Sequence, residues 1–195
     1  MISPYAGLSV YQWVERTREL ILKHPLNSTE LYAVVHQVWQ DIFLSSIGSK
    51  PFHIGTDLFP RPQIMAYLLH ELVPLELERR YPGYWRRDLQ ASEKDIVYIP
   101  DDTFSIEIKT SSSSRNIYGN RSYAQKGNVP KKEKSGYCLA VNFQKFAGSA
   151  DAPKVTLVRF GWLDHEDWIG QKAATGQQSR LPADVEQYKL LELPL

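Results

Sequence analysis

The feature that most constrains the fold is a run of apolar side chains that recur every three or four positions between residues 31 and 43. This spacing predicts an amphipathic helix whose apolar side faces a core. The residues of the run are Leu31, Val34, Val35, Val38, Trp39, Ile42 and Phe43. Asn27-Ser28-Thr29 offers N-cap side chains before the run and Gly48 follows it, so the helix has a start and an end.

Two further helices are predicted in the first half of the chain. Residues 10–22 carry apolar side chains at helical spacing and are followed by Pro25. A third helix is predicted after Pro60-Arg61-Pro62, and we expect Pro74 to break or kink it. Residues 1–92 are therefore expected to be mostly helical.

The second half of the chain is predicted to form strands. Residues 96–99 and 104–110 flank the turn residues Pro100-Asp101-Asp102, which predicts a β-hairpin. Further strands are expected at 136–143, 155–160 and 188–193, with a short helix near 162–168. The expected fold is an α/β fold: one domain over 1–195, with a mixed central sheet and its hairpin flanked by helices.

Composition narrows the class of protein. The chain has 195 residues, 43% of them hydrophobic, which is enough for the core of one domain. Its single cysteine, Cys138, excludes an intramolecular disulfide and a cysteine-rich zinc cluster, and we expect it in the core. No apolar run approaches the roughly 20 residues of a membrane span, and no signal peptide is visible. We expect a cytoplasmic protein without membrane segments.

The chemistry-bearing residues are expected in the hairpin. Side chains alternate along a strand, so Glu107 and Lys109 share one face while Ile106 and Ile108 pack on the other. Folding the hairpin brings Asp95 to within about one residue of the level of Glu107. Two carboxylates and an ammonium then lie together. Mg²⁺ prefers one or two carboxylates and completes its ligand shell with water and phosphate oxygens, so a magnesium site is expected here.

Asp101 is the other candidate for the first carboxylate. It precedes Glu107 by six positions, which corresponds to roughly 20 Å along an extended strand. One ion cannot bridge that distance, so the sequence favours Asp95.

The pattern Asp95-x(11)-Glu107-x-Lys109 resembles the active-site motif of the PD-(D/E)XK nuclease superfamily, although Lys94 stands where the motif has proline. The resemblance implies that Asp95, Glu107 and the main-chain carbonyl of Ile108 hold Mg²⁺. It also implies that Lys109 orients the attacking water and stabilises charge at the phosphorus. Residues 2–8, 59–65 and 93–125 are similar to the ScaI family of restriction endonucleases.

This resemblance implies a restriction-endonuclease-like fold and a type II site-specific deoxyribonuclease of a restriction-modification system. Such an enzyme hydrolyses phosphodiester bonds of double-stranded DNA at a short site. A palindromic site is expected to be cut by a homodimer, because twofold-symmetric DNA is matched by a twofold-symmetric protein. Two alternatives stay open: a PD-(D/E)XK repair or structure-selective nuclease, and a non-catalytic DNA-binding module.

A helix carboxylate is a further candidate for the site, because superfamily members often place a helix glutamate near the metal. Glu71 lies on the apolar face of the third predicted helix, where a carboxylate is rarely buried unpaired. Glu76 and Glu78 remain alternatives, and Glu71 could instead pair with an arginine. Four histidines lack metal-ligand spacing and are expected to be structural or on the surface. These are His36, His53, His70 and His165.

Residues 111–134 concentrate positive charge, with six basic side chains against Glu133, in a chain whose net charge is +1. We predict a long DNA-binding loop in which lysines contact phosphates and arginine or amide side chains contact base edges. A disordered, solvated loop is the alternative. The four arginines within residues 79–87 either add phosphate contacts or cover a helix end. Candidate DNA-binding residues are Ser111, Arg115, Asn116, Asn120, Arg121, Tyr123, Gln125, Lys126, Lys131, Lys132 and Lys134.

Overall fold

A six-stranded mixed sheet, with three long helices packed on one of its faces, forms the centre of the computed structural model. The structure describes residues 2–124, 134–147, 152–173 and 175–195. The helices are α1 (Val10–Lys23), α2 (Ser28–Leu44), α3 (Pro62–Arg80) and the short α4 (Ala183–Tyr188). Among the described residues, no helix has the length and apolar character needed to cross a membrane.

The start of α2 follows the capping chemistry of the sequence. Asn27 is the N-cap of α2, and its side chain accepts the main-chain N–H groups of Thr29 and Glu30 at 2.8 and 3.1 Å. The helix ends at Leu44, a few residues before Gly48. The three long helices therefore confirm the predicted helical first half.

Of the two effects expected of Pro74, a break of the third helix is wrong, because α3 continues through it. Proline removes one main-chain hydrogen bond of a helix. In α3, however, Val73, Pro74 and Leu77 are all buried, and Val73 and Leu77 belong to the main core. The packing of the apolar face on both sides of Pro74 explains why the helix continues.

The strands differ in length, from two residues in β1 to nine in β8. They are β1 (Ser46–Ile47), β2 (Phe52–His53), β3 (Trp85–Arg87), β4 (Ile96–Tyr98), β5 (Ile106–Ser111), β6 (Tyr118–Asn120), β7 (Gly136–Phe143), β8 (Val155–Leu163), β9 (Ile169–Gly170), β10 (Gln178–Arg180) and β11 (Leu190–Glu192). The large sheet has the order β11-β8-β7-β5-β4-β3. Within it β5 and β7 pair in parallel and the other neighbours pair antiparallel, so the sheet is mixed as expected.

The predicted hairpin is present, as β4 and β5 pair antiparallel. Its connection holds a short 3-10 helix, Asp102–Phe104, so β5 begins at Ile106 instead of residue 104. The short helix expected near 162–168 is present as a 3-10 helix at His165–Asp167.

The central strand β7 is buried along its whole length because both faces of the sheet are covered. Tyr137 and Leu139 face the core formed with the long helices. Cys138 and Ala140 face a second, smaller core on the opposite side, formed with α4 and the segment around Ile117. Cys138 is thus a core residue, as the sequence predicts.

The prediction of one long loop after β5 needs correction. Residues 118–120 form β6, which pairs with β10 in a separate three-stranded sheet of order β6-β10-β9. Residues 121–124 form a 3-10 helix. Gly119 permits this packing, because a Cβ there would lie 2.9 Å from Ser179 Oγ and 3.1 Å from the Trp168 ring. The small sheet is therefore held closely against the second core.

Candidate active site

Asp95 lies directly before β4, at the point where the hairpin strands separate. Ile96 pairs with Ile106, so Asp95 is opposite Glu107, in agreement with the alignment expected for the hairpin. The Asp95 carboxylate accepts the main-chain N–H of Ile108 through Oδ2 at 2.6 Å. The side chain thus takes over a hydrogen bond that a longer β4 would have supplied.

This hydrogen bond also indicates where the carbonyl of Ile108 points. Along a strand, the N–H and C=O groups of one residue point to the same side. The carbonyl of Ile108 therefore points toward Asp95. The oxygens of Asp95, Glu107 and Ile108 are the hard donors that Mg²⁺ prefers, so the residues present fit such an ion. Within the described ranges, no group of three His, Cys, Asp or Glu side chains forms a metal cluster. Mg²⁺ ordinarily keeps water and substrate oxygens beside one or two carboxylates.

Glu107 and Lys109 project from one face of β5, opposite Ile106 and Ile108, which are fully buried in the main core. Lys109 Nζ lies 2.6 Å from Glu107 Oε1. The same carboxylate oxygen accepts the hydroxyl of Tyr123. The Glu107 carboxylate and the Lys109 ammonium, two positions apart on one strand, thus form an ion pair.

Tyr123 completes this cluster from the 3-10 helix at 121–124. Lys109 Nζ lies 3.1 Å from the Tyr123 hydroxyl and 4.5 Å from the centre of its ring. The Tyr123 ring in turn packs against Trp168. Tyr123, a candidate DNA-binding residue of the sequence, is therefore in contact with both Glu107 and Lys109.

The protonation of this cluster follows from its surroundings. Burial disfavours the Lys109 ammonium, but Glu107, Tyr123 and Asp95 act against it and raise the pKa of Lys109 above its ordinary value. Burial, with the Glu107 carboxylate, raises the pKa of Tyr123 as well. Lys109 is thus a cation and Tyr123 a neutral phenol at neutral pH.

Asp101, the alternative first carboxylate, has a local structural contact. It is the N-cap of the 3-10 helix in the hairpin, where it accepts the N–H and the hydroxyl of Thr103 at 3.0 and 2.7 Å. The geometry thus leaves Asp95 as the carboxylate opposite Glu107.

From α3 it is His70 that approaches the carboxylates, with Nδ1 3.7 Å from Asp95 Oδ2. Sequence reasoning had no signal for this residue, because it has no ligand spacing. Its neighbour Glu71 instead approaches Arg87, at 3.9 Å. Neighbouring residues differ by about 100° around a helix axis. The rotation of α3 against the sheet decides which of the two faces Asp95, and sequence periodicity does not determine that rotation.

The arginines within 79–87 are engaged in ion pairs. Arg79 and Arg80 both bind Glu76, whose pKa they lower to about 2. Arg86 binds Glu93 with both terminal nitrogens, at 2.9 and 2.6 Å. Since Glu93 lies two residues before Asp95, this pair holds the approach to the site in place.

The candidate DNA-binding residues lie in different settings. Arg121 donates to the carbonyls of Ala173 and Gly176, at 3.2 and 3.0 Å. Lys134 donates to the carbonyl of Ser122. Ser111, at the end of β5, lines an open cleft. Four of the candidates lie outside the described residues: Gln125, Lys126, Lys131 and Lys132.

A buried polar network supports the segment that carries Arg115 and Asn116. Arg159 is fully buried and lies 3.5 Å from Glu186 Oε2. It also donates to the Arg115 carbonyl and, at 3.1 Å, to the Asn142 side chain. Asn142 in turn donates to the carbonyl of Asn116, at 3.2 Å. Sequence reasoning missed this network, although a charged residue inside an apolar strand is the signal that could have revealed it.

Comparison with known proteins agrees with the segments that resembled restriction endonucleases. A family model described as ScaI restriction endonuclease matches residues 3–194. The Type II restriction enzyme ScaI of Streptomyces caespitosus is 48% identical over 193 residues, covering 98% of this chain and 84% of that protein. No solved structure matches the chain. The match over nearly the whole length shows that the chain belongs to the ScaI restriction endonuclease family.

Proposed function

We propose that this type II restriction endonuclease hydrolyses phosphodiester bonds of double-stranded DNA at a short palindromic site, and that it does so with Mg²⁺ at Asp95 and Glu107. Family membership supports the site-specific cleavage of DNA. The main observation that supports this site is that Asp95, Glu107 and Lys109 lie together where β4 and β5 separate.

The metal would be held by Asp95, Glu107 and the main-chain carbonyl of Ile108. When bound, it supplies positive charge that polarises the phosphate and lowers the pKa of nearby water. The hydrogen bond from the Ile108 N–H keeps the Asp95 carboxylate oriented toward β5. Tyr123 and Lys109 orient Glu107 by sharing its Oε1 atom.

Lys109 acts on the reacting phosphate as a cation. An ammonium has three N–H donors, and Glu107 and Tyr123 account for two of them. The third donor can bind a phosphate oxygen or the attacking water while the ion pair is kept. Positive charge held beside a phosphate stabilises the charge that develops during its hydrolysis.

Glu71 is a weaker candidate for a catalytic role than these three residues, because its ionic partner is Arg87. His70 is closer to Asp95 and is the better candidate on α3 for orienting that carboxylate. A palindromic site further implies a homodimer, in which two copies of this site act on the two strands.

A digest of long duplex DNA tests the proposed function. We expect discrete fragments with Mg²⁺ and no cleavage when EDTA removes it. Random smearing or selective cutting of branched DNA would point to a repair or structure-selective nuclease. Intact DNA with a mobility shift would point to a non-catalytic binding module.

Lys109→Ala should lower the rate of cleavage by at least about 100-fold, the scale of removing one donor that stabilises transition-state charge. Specific binding should persist, because Lys109 acts on the phosphate and reads no base. Single-turnover cleavage and gel-shift binding measure the two effects. Lys23→Ala, at an exposed lysine of α1, is the matched control and should cut like the parent. Cleavage by Lys109→Ala near the parental rate would remove Lys109 from the site.

Asp95→Asn should stop turnover and weaken the response of the rate to Mg²⁺, because a neutral amide is a poorer ligand for a hard cation. Asp101→Asn should cut like the parent, since asparagine caps a helix as well as aspartate does. Rates measured across a Mg²⁺ titration compare the two variants. Equal impairment of both would contradict the choice of Asp95 over Asp101.

The lysines at 131, 132 and 134 should strengthen DNA binding through phosphates alone. Replacing all three by alanine should weaken binding similarly for every sequence. It should also reduce the log-log slope of affinity against salt by roughly 0.9 for each phosphate that a lysine no longer neutralises. A triple alanine variant at the exposed residues Lys23, Lys50 and Lys154 makes the same change in charge elsewhere. If both triple variants shift the salt dependence alike, net charge and not this segment governs affinity.

A further inference from the structure

The small sheet presents a polar outer face. Asn120 of β6 lies opposite Gln178 of β10, and Tyr118 lies opposite Arg180. Directly opposite residues of an antiparallel pair place their side chains on the same face. The residues between them, Gly119 and Ser179, are buried and face Trp168. Tyr118, Asn120, Gln178 and Arg180 therefore form one outward surface.

These outward side chains are available to a ligand. All four are exposed, and Tyr118 keeps 40% of its surface accessible. Over the ranges that the structure describes, the side chains of Asn120, Gln178 and Arg180 make no hydrogen bond or ion pair. Arg121, only one residue further on, differs because its guanidinium binds the carbonyls of Ala173 and Gly176.

The position of this face relative to the catalytic strand favours contact with the same DNA. A cleft of about 510 Å³ lies between the end of β5 and the small sheet, and it is lined by Thr110, Ser111, Asn120 and Gln178. Ser111 follows Lys109 by two positions on β5, so the two side chains project from the same face of the strand. DNA that is bound with one of its phosphates at Lys109 would therefore extend along β6 and β10.

The chemistry of the face suits base edges better than phosphates. Neutral amides add no charge, so they contribute little to the attraction that phosphate binding depends on. Asparagine and glutamine can instead form two hydrogen bonds with adenine in the major groove, and arginine can do so with guanine. The major groove accommodates a two-stranded β-ribbon. An amide pair with a neighbouring arginine on such strands therefore matches a base-reading surface.

We propose that β6 and β10 read bases in the major groove, with Asn120 and Gln178 each on one adenine and Arg180 on a guanine. This inference rests on the proposed function, since it assumes a specific DNA site. Gln178 and Arg180 lie far along the chain from the basic segment 111–134, and the pairing of β10 with β6 brings them beside Tyr118 and Asn120. Arg121 has a different role, because its guanidinium binds the carbonyls of Ala173 and Gly176.

Selection of bound duplexes from a random pool tests the proposal. The selection is made in Ca²⁺, which we expect to support binding without cleavage. Asn120→Ala and Gln178→Ala should each lose preference at one adenine of the selected site, and Arg180→Ala at one guanine. Removal of a bidentate pair of hydrogen bonds should reduce discrimination at that base about 5- to 150-fold. The two amide variants should leave binding to random DNA unchanged, because they do not alter the charge. Gln40→Ala, at an exposed glutamine of α2, should select the parental sequence.

Asn120→Asp is the control against a loss of folding. It keeps the size of the side chain but removes its N–H donors, so it should lose the same base preference as Asn120→Ala. Urea unfolding should give parental midpoints for all these exposed substitutions. Parental selection by every variant on β6 and β10 would overturn the proposal. A parent that selects a sequence through these residues and yet fails to cut with Mg²⁺ would support this surface and contradict the proposed hydrolysis. A parent that binds with no preference would overturn the base-reading surface itself.

Discussion

The pairing of β5 between β4 and β7 is the constraint on which the rest of the structure depends. Ile106 and Ile108 are fully buried against the long helices, and this burial determines which face of β5 carries Glu107 and Lys109. A slip of one residue would place the carboxylate and the ammonium in the main core. The register of the site is therefore set by apolar packing on the opposite side of the sheet.

The separation of β4 from β5 matters as much as their pairing. The two strands share the pair Ile96 and Ile106, after which the Asp95 side chain takes the N–H of Ile108. In a regular hairpin, a main-chain carbonyl of β4 would accept the N–H of Ile108. The Asp95 carboxylate would then point away from this N–H group. The early end of the ladder thus brings an acidic side chain into the plane of the sheet, next to Glu107.

Charge inside this protein is arranged in pairs. Lys109 with Glu107 lies on the site face of β5, and Arg159 with Glu186 lies beneath the segment that follows it. Breaking a buried pair is costly, because the remaining charge is left without its partner away from water. Burial lowers the pKa of Arg159, because a charged guanidinium is less stable away from water than in it. The segment between β5 and β6 is thereby supported from below by a buried ion pair.

The sequence by itself determined the three long helices, the hairpin, the core strand 136–143 and the meeting of Asp95 with Glu107. These depend on local periodicity, on caps such as Asn27 and on the alternation of a strand, all of which operate over a few residues. The resemblance of three segments to a restriction endonuclease family is likewise a property of the sequence, and the comparison over nearly the whole chain confirms it.

Only the tertiary structure decided the small sheet, the choice of His70 over Glu71 beside Asp95, and the continuation of α3 through Pro74. The small sheet joins residues 118–120 with 169–170 and 178–180, in strands of two or three residues. Strands this short carry too few alternating positions to be recognised, and their pairing is not local. The rotation and continuity of α3 come from packing against α2 and the sheet. Such choices depend on how distant apolar surfaces fit together, which no local pattern in the sequence specifies.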